Sequence, residues 1–346
     1  MLFLKKRGFF LGLSILLFMN SCTADRNIFM GGAKMVISEP VKACPIEGSI
    51  ISFDGLPLYA APHMVNDTSL VIFSYGFDNV LVYKGNLNSH ELSPILLKGR
   101  GPDEMLIAGF VDLQTSADGH TLLRAYDINS AEMYTIDVEA SEIKGSGVVR
   151  ETSPLPRGVF RLFLDKDRLV AKIHNPKERS LDYEVMSSDL EIVRQYAIYG
   201  QTNLSNYQVV ASADCMRPDG SMVFLGMNYF DKANFLSLDS DDHFTVVTDK
   251  KWKYSYDLDL FQKVQESGTF QDLEQFYLQS QCTQDIVFSL RYPGDQMRVF
   301  NWDGSIRAEY VLDRQLTAFD CSGDGNTIIG VTQEGVIVKY SLPRRK

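Results

Sequence analysis

The sequence predicts an all-β fold, a six-bladed β-propeller with four-stranded antiparallel blades, and three observations support this prediction. Short apolar runs of four or five residues recur along the chain, bounded by Gly, Asp, Asn or Pro. Asp-Gly pairs, which favour tight hairpin turns, occur at residues 118–119, 219–220, 303–304 and 324–325. A strand-and-turn unit also repeats at a spacing of roughly 40 to 50 residues, the repeat length of a propeller blade.

Six copies of this unit are recognised by an apolar strand that precedes a polar turn. The strands are centred on Tyr83, Tyr134, Val185, Leu236, Phe300 and Tyr340. The long step between the fourth and fifth copies contains apolar residues at helical spacing. We therefore expect a short helical insertion around residues 252–280, either packed on the side of the propeller or serving as a lid or partner-binding element.

The N-terminus has the pattern of a secretory signal peptide. A basic cluster at residues 5–7 precedes an apolar run at residues 9–19, which is shorter than the roughly 20 residues that a transmembrane helix needs. The run ends in Met-Asn-Ser-Cys, which resembles the lipobox of bacterial lipoproteins. We expect residues 1–21 to be removed and Cys22 to be lipidated, with palmitate among its acyl chains. The alternative is a plain signal peptide with an incidental cysteine.

The rest of the chain divides into a tether, residues 22–34, and the propeller, residues 35–346. The last repeat contains three predicted strands instead of four. An N-terminal strand, from residues 35–38 or 41–44, is expected to complete that blade and close the ring, because an open blade edge promotes aggregation.

Charge and cysteine content exclude several kinds of partner. The chain has 34 basic and 44 acidic residues and a net charge of -10, which argues against nucleic-acid binding. The cysteines beyond Cys22 show no zinc-ligand spacing. Four free thiols at Cys44, Cys215, Cys282 and Cys321 are favoured, with a bridge from Cys44 as the alternative.

The sequence contains no established catalytic or phosphate-binding motif. The innermost strands of a propeller bring one position of each blade to the axis, and Asp112, Asp214 and Asp320 occupy similar points in three repeats. Three converging carboxylates would hold a hard cation such as Ca²⁺. The alternative is that these carboxylates bond nearby backbone N–H groups, as Asp does in loops generally.

Residues 98–105, with the sequence Lys-Gly-Arg-Gly-Pro-Asp-Glu-Met, resemble the signature after the first blade of the TolB-like six-bladed β-propeller lipoproteins of Bacteroides-type bacteria. Asp103 replaces the usual Gly and Met105 the usual Phe. Residues 299–304, 310–313 and 338–342 are similar to the closing blades of that family. The resemblance implies a six-bladed fold and a lipid anchor, and it implies no reaction.

Within the first of these motifs, Arg100 and Glu104 flank a Gly-Pro pair. An arginine and an acid in this arrangement form either a ligand clamp or a fixed turn between the first two blades. Both interpretations are consistent with the sequence.

Together these observations predict a monomeric, lipid-anchored cell-envelope propeller that acts as a non-enzymatic binding platform for a protein or carbohydrate partner. The outer membrane is the expected location, and the sequence leaves open whether the protein faces the periplasm or the outside. The alternative function is a metal-dependent lactonase or lyase that uses the axial carboxylates.

Overall fold

The structure is a computed structural model. It describes residues 34–76, 79–165, 168–177, 180–197, 207–238, 244–248, 259, 262–263, 266 and 273–343. The predicted signal peptide and Cys22 lie outside the described residues.

The described residues form six β-sheets, each of which is one blade of a propeller. Three short strands come first in the chain and precede the blades: β1 (Lys34–Ile37), β2 (Cys44–Ile46) and β3 (Ser49–Ile51). Blade 1 consists of β4 (Ala60–Asn66), β5 (Ser69–Ser74), β6 (Val80–Asn86), β7 (Leu92–Lys98) and β8 (Glu104–Met105). Blade 2 consists of β9 (Gly109–Thr115), β10 (Thr121–Asp127), β11 (Glu132–Asp137) and β12 (Val149–Pro154).

The other four blades repeat this pattern. Blade 3 consists of β13 (Val159–Asp165), β14 (Arg168–Asn175), β15 (Ser180–Met186) and β16 (Ile192–Ala197). Blade 4 consists of β17 (Ser212–Met216), β18 (Met222–Met227), β19 (Ala233–Ser237) and β20 (Phe244–Thr248). Blade 5 consists of β21 (Tyr277–Cys282), β22 (Ile286–Arg291), β23 (Gln296–Asn301) and β24 (Ile306–Leu312). Blade 6 contains β25 (Leu316–Cys321), β26 (Thr327–Thr332) and β27 (Ile337–Ser341).

The hydrophobic core lies between the blades and not within one sheet. Six clusters of buried apolar side chains each join a pair of neighbouring blades, including blade 6 with blade 1. The second strands are buried on both faces for this reason, and in β5 every residue after Ser69 is buried. Face-to-face packing of this kind explains why the sequence shows short continuous apolar runs instead of strict alternation.

An N-terminal strand closes the ring, as the sequence predicts, but it is neither of the two expected segments. β1 adds to β20 of blade 4, and β2 adds to β24 of blade 5, both in parallel. The strand that completes blade 6 is β3, which pairs antiparallel with β27. The expectation for residues 35–38 and 41–44 is therefore wrong, because the chain runs along the outer edges of two other blades before it reaches the last one.

The predicted helical insertion around residues 252–280 falls largely outside the described residues. Its described members Asp259, Gln262, Lys263 and Glu266 are helical and exposed. Its last part is not helical, because Tyr277 begins the innermost strand of blade 5 and is buried with Phe276 against blade 4. The apolar spacing there marks the entry into a strand.

One α-helix, α1 (Val138–Lys144), was not expected from the sequence and lies between β11 and β12. The Asp137 side chain caps its N-terminus by accepting a hydrogen bond from the Ala140 N–H at 2.9 Å. Gly145 ends the helix in the left-handed conformation, with φ of 73°. A short 3₁₀ turn, Tyr207–Val210, precedes blade 4.

The two ends of the ring differ. We call the end at which the innermost strands begin the loop face and the opposite end the hairpin face. The Asp-Gly turns at residues 118–119, 219–220, 303–304 and 324–325 lie on the hairpin face, and their glycines have φ between 67° and 88°. A positive φ explains the glycine at each of these turns.

Candidate functional site

A cavity of about 510 Å³ lies on the axis at the loop face, and we call it the axial pocket. Its walls come from strands near the axis in five blades: β4, β9, β13, β14, β17 and β21 supply most of the lining residues. This volume is within the range of roughly 300 to 1,000 Å³ that is typical of small-molecule sites.

Two cations and one carboxylate line the axial pocket. Lys172, on β14, is 4% exposed and Asp214, on β17, is 6% exposed. The Lys172 ammonium donates to Asp214 Oδ2 at 3.0 Å and to Ser212 Oγ at 2.6 Å. The second cation, Arg161 on β13, donates from Nη2 to the backbone oxygen of Asp214 at 3.3 Å. No carboxylate among the described residues pairs with Arg161, so these three side chains leave one positive charge in the pocket.

Three buried polar atoms of residues that line the axial pocket have no hydrogen-bond partner among the described residues. They are Arg161 Nε, Asp214 Oδ1 and His63 Nδ1. Buried polar groups are nearly always paired in proteins, so unpaired ones in the wall of a cavity indicate a place where a ligand binds.

Two neighbours of these charged groups are held in their neutral forms. Burial and, to a smaller extent, the Arg161 charge together lower the pKa of His63 to about 3. The His63 ring stacks on Phe110 with ring centroids 3.5 Å apart. Burial and the adjacent Asp214 carboxylate raise the pKa of Tyr183, whose phenol donates to Asp214 Oδ2 at 2.8 Å. The pocket wall, with Tyr183 directly behind it, therefore combines charged groups with neutral hydrogen-bonding groups.

The rim of the pocket is apolar. Tyr75 and Phe160 line its mouth and are 56% and 43% exposed. Further exposed large apolar side chains occupy the same face, either before an innermost strand or after a second strand. They are Leu58, Tyr59, Ile107, Ile128 and Tyr292.

The structure does not bring the three predicted axial carboxylates together. Among the described residues, Asp112, Asp214 and Asp320 are absent from any group of three potential metal ligands within 4.8 Å. Asp112 forms an ion pair with Arg124, and its Oδ1 accepts from Arg124 Nε at 2.7 Å. Asp320 accepts from the backbone N–H of Met64 at 2.7 Å, and burial raises its pKa to about 7. Of the three, only Asp214 lines the axial pocket.

A different trio, His120, Asp137 and Glu139, does lie within 4.8 Å. Its ligand atoms are already used: Asp137 caps α1, accepts from His120 Nδ1 at 2.9 Å and pairs with Arg150. Glu139 Oε2 accepts from the Thr121 N–H at 2.7 Å. Because these atoms already bond to protein groups, the cluster links α1 to the strands of blade 2.

The residues of the first-blade motif form a turn. Glu104 Oε2 accepts a hydrogen bond from the Gly101 N–H at 2.8 Å. The same oxygen lies close to Gly99, where an added Cβ would be 1.9 Å from Glu104 Oε2. Arg100 is exposed, and it makes no ion pair with Glu104 among the described residues. The contacts seen are those of a fixed turn, and the two side chains are not brought together as a clamp.

The four cysteines in the described part of the chain are free thiols. Cys215 and Cys321 are buried on the innermost strands of blades 4 and 6. Cys282 lies on the innermost strand of blade 5, and Cys44 begins β2.

No family model matches the chain, and no curated protein is similar to it in sequence at a significant level. Solved structures do share its fold. A Bacteroides fragilis protein described as a "putative exported protein" is similar with a TM-score of 0.53 at 12% identity, over 90% of this chain and 99% of that one. A calcium-binding protein, regucalcin, from Agrobacterium tumefaciens is similar with a TM-score of 0.50 at 12% identity, over 89% of this chain and 98% of that one.

Sequence reasoning missed Arg161 and Lys172. Both lie in short runs that otherwise read as apolar strands, Val159–Asp165 and Arg168–Asn175. A cation inside such a run is the signal that would have identified them, because a buried charge requires a partner or a function.

Proposed function

We propose that this protein is a lipid-anchored cell-envelope binding protein and that the axial pocket is its binding site. The observation that carries this proposal is a cavity of about 510 Å³ on the loop face whose wall contains buried polar atoms without partners. The resemblance of residues 98–105 to the TolB-like propeller lipoproteins supports the same proposal.

The binding proposal is tested by filling the pocket. Ala211 lines the axial pocket, whereas Ala117 is exposed on the hairpin face. We expect ligand-observed magnetic resonance with a mixture of sugars, sugar acids, amino acids and small peptides to detect binding to the wild type. We expect Ala211→Trp to abolish that binding and Ala117→Trp, the matched control, to retain it. Binding that persists in Ala211→Trp with unchanged affinity would place the site elsewhere.

The anchor is supported by the basic cluster, the short apolar run and Cys22 in the N-terminal sequence. No helix in the described part of the chain is long and apolar enough to span a membrane. In a host that processes lipoproteins, Cys22→Ala is expected to move the protein out of the membrane fraction or leave it unprocessed, whereas the control Cys44→Ala stays anchored. A processed Cys22→Ala protein that still requires detergent for extraction would contradict the anchor.

The alternative function is a metal-dependent propeller enzyme. The similar regucalcin structure is described as that of a calcium-binding protein. In this chain the Asp214 carboxylate is already neutralised by Lys172 at 3.0 Å, with Arg161 beside it, and both cations oppose a bound metal ion. Elemental analysis of the purified protein decides between the two functions: one tightly bound metal ion per chain would favour the enzyme.

Lys172 also lies against Ser212, a pairing that resembles a nucleophile and its base. A base must be able to accept the serine proton. In this structure Lys172 Nζ donates hydrogen bonds to both Ser212 Oγ and Asp214 Oδ2, so it faces the serine as a donor and not as an acceptor of its proton. We therefore assign this pair a role in shaping the pocket.

A further inference from the structure

We infer that the axial pocket binds a ligand with a single carboxylate and at least one hydroxyl group, the chemical class of the sugar acids. This inference rests on the proposed binding function and adds the chemistry of the ligand. Three features of the pocket carry it: an unpaired cation, an unpaired carboxylate oxygen and an aromatic mouth.

The cation is Arg161. Lys172 and Asp214 neutralise each other across 3.0 Å, which leaves the guanidinium as the uncompensated charge among the titratable lining residues. The chain as a whole carries a net charge of -10, so a positive pocket is a local feature. Guanidinium groups bind carboxylates through paired N–H donors, and Arg161 Nε lacks a partner among the described residues. One net positive charge matches a monoanion better than a doubly charged phosphate.

The hydroxyl requirement comes from Asp214. Its Oδ2 accepts from Lys172 at 3.0 Å and from Tyr183 at 2.8 Å, whereas its Oδ1 is buried and has no partner among the described residues. A ligand that seals the pocket without a donor would leave this oxygen unpaired, which weakens binding. A hydroxyl group supplies the missing donor. A ligand ammonium would supply one too, but it would face Arg161 and Lys172.

The volume of the pocket and the residues at its mouth indicate the size and shape of the ligand. A volume of about 510 Å³ accommodates a small ring compound. Phe160 and Tyr75 present partly exposed aromatic rings at the mouth. Rings of this kind pack against the C–H face of a sugar while its hydroxyl groups reach the polar wall. The inner polar wall and apolar rim thus match a hydroxylated ring that carries an acid.

Glucose and two of its derivatives that differ in charge test the inference: the binding of D-glucuronate, D-glucose and D-glucosamine is measured by calorimetry at pH 6.5. We expect glucuronate to bind at least about tenfold more tightly than glucose and glucosamine to bind most weakly. Cyclohexanecarboxylate, which has the ring and the acid without hydroxyl groups, is expected to bind at least about tenfold more weakly than glucuronate. Inorganic phosphate is expected to compete poorly.

Variants of Arg161 test whether this residue causes the preference for glucuronate over glucose. Arg161→Met is expected to abolish the preference for glucuronate over glucose, and Arg161→Lys is expected to keep part of it. Arg157→Met is the matched control, because Arg157 is an exposed arginine just before β13 and does not line the pocket. Thermal melts establish that each variant is folded. If Arg161→Met is unfolded, the Arg161→Lys protein and the dependence of glucuronate binding on ionic strength carry the test.

Four results would overturn the inference: equal binding of glucuronate and glucose, tighter binding of glucosamine or phosphate, equal binding of cyclohexanecarboxylate, or no carboxylate binding up to about 50 mM. The proposed binding function is judged separately by the Ala211→Trp comparison. A neutral or cationic compound that binds in a pocket-dependent way would retain the binding function and refute the ligand class.

Discussion

Asp320 is expected to make the stability of the propeller depend on pH. Burial raises its pKa from 3.8 to about 7, so between these values the folded protein binds a proton that the unfolded chain has released. The stabilisation is therefore fully present below pH 3.8 and is lost as the pH rises through about 7. The difference between a pKa of 3.8 and one of about 7 corresponds to about 4 kcal/mol as an upper limit. Because the residue is partly exposed, we expect about 2 to 4 kcal/mol over this whole range.

Asp320→Asn removes this dependence. Asparagine is neutral at every pH, and its amide oxygen still accepts the hydrogen bond from the Met64 N–H. Urea unfolding at pH 4.5 and pH 8 measures the free energy of unfolding of both proteins. Relative to the wild type, the variant should gain about 1 to 3 kcal/mol on going from pH 4.5 to pH 8, somewhat less than the whole effect because the unfolded carboxyl is already largely ionised at pH 4.5. Any pH-independent cost of the amide cancels in this comparison.

The control is Asp112→Asn. Asp112 forms an ion pair with Arg124, so the substitution removes this ion pair. We therefore expect no increase in the free energy of unfolding at pH 8. The same pH dependence in the wild type and Asp320→Asn would refute the reasoning, because it would mean that the Asp320 carboxylate is hydrated in the folded protein.

Three further predictions concern closure and burial. Gly48→Ala should lower the melting temperature, because an added Cβ would lie 2.2 Å from a side chain of the last blade, whereas Gly323→Ala, with open space around it, should not. Deleting all residues through 51 should destabilise the propeller more than deleting those through 46, because only the longer deletion removes the closing strand; equal melting temperatures would contradict that role. Lys172→Met should cost about 3 to 5 kcal/mol in urea unfolding, since it leaves a buried carboxylate unpaired. Lys84→Met, at a more exposed ion pair, should cost about 0 to 1 kcal/mol, and equal costs would contradict the burial argument.

The sequence predicted the blades well because their signals are local. Most second strands are short apolar runs that are largely buried, and the Asp-Gly pairs at residues 118–119, 219–220, 303–304 and 324–325 form hairpin turns with a positive φ at the glycine. The closing strand was harder to predict. β1, β2 and β3 are three or four residues long, and the choice between them depends on edges supplied by residues more than 200 positions away.

The axial carboxylates show why equivalent positions in a repeat do not predict equivalent chemistry. Asp112 finds its partner 12 residues away within its own blade, Asp214 finds Lys172 at a separation of 42, and Asp320 finds Met64 at a separation of 256. Asp112 is partly exposed and pairs with an arginine, whereas Asp214 pairs with a buried lysine and lines the axial pocket. Asp320 bonds to a backbone N–H from a neighbouring blade, and its pKa is raised to about 7. The repeat period fixes where each Asp lies, but its role depends on the partner that it contacts, which is in the same blade for Asp112 and in a neighbouring blade for Asp214 and Asp320. This is why the binding site had to be identified from the structure.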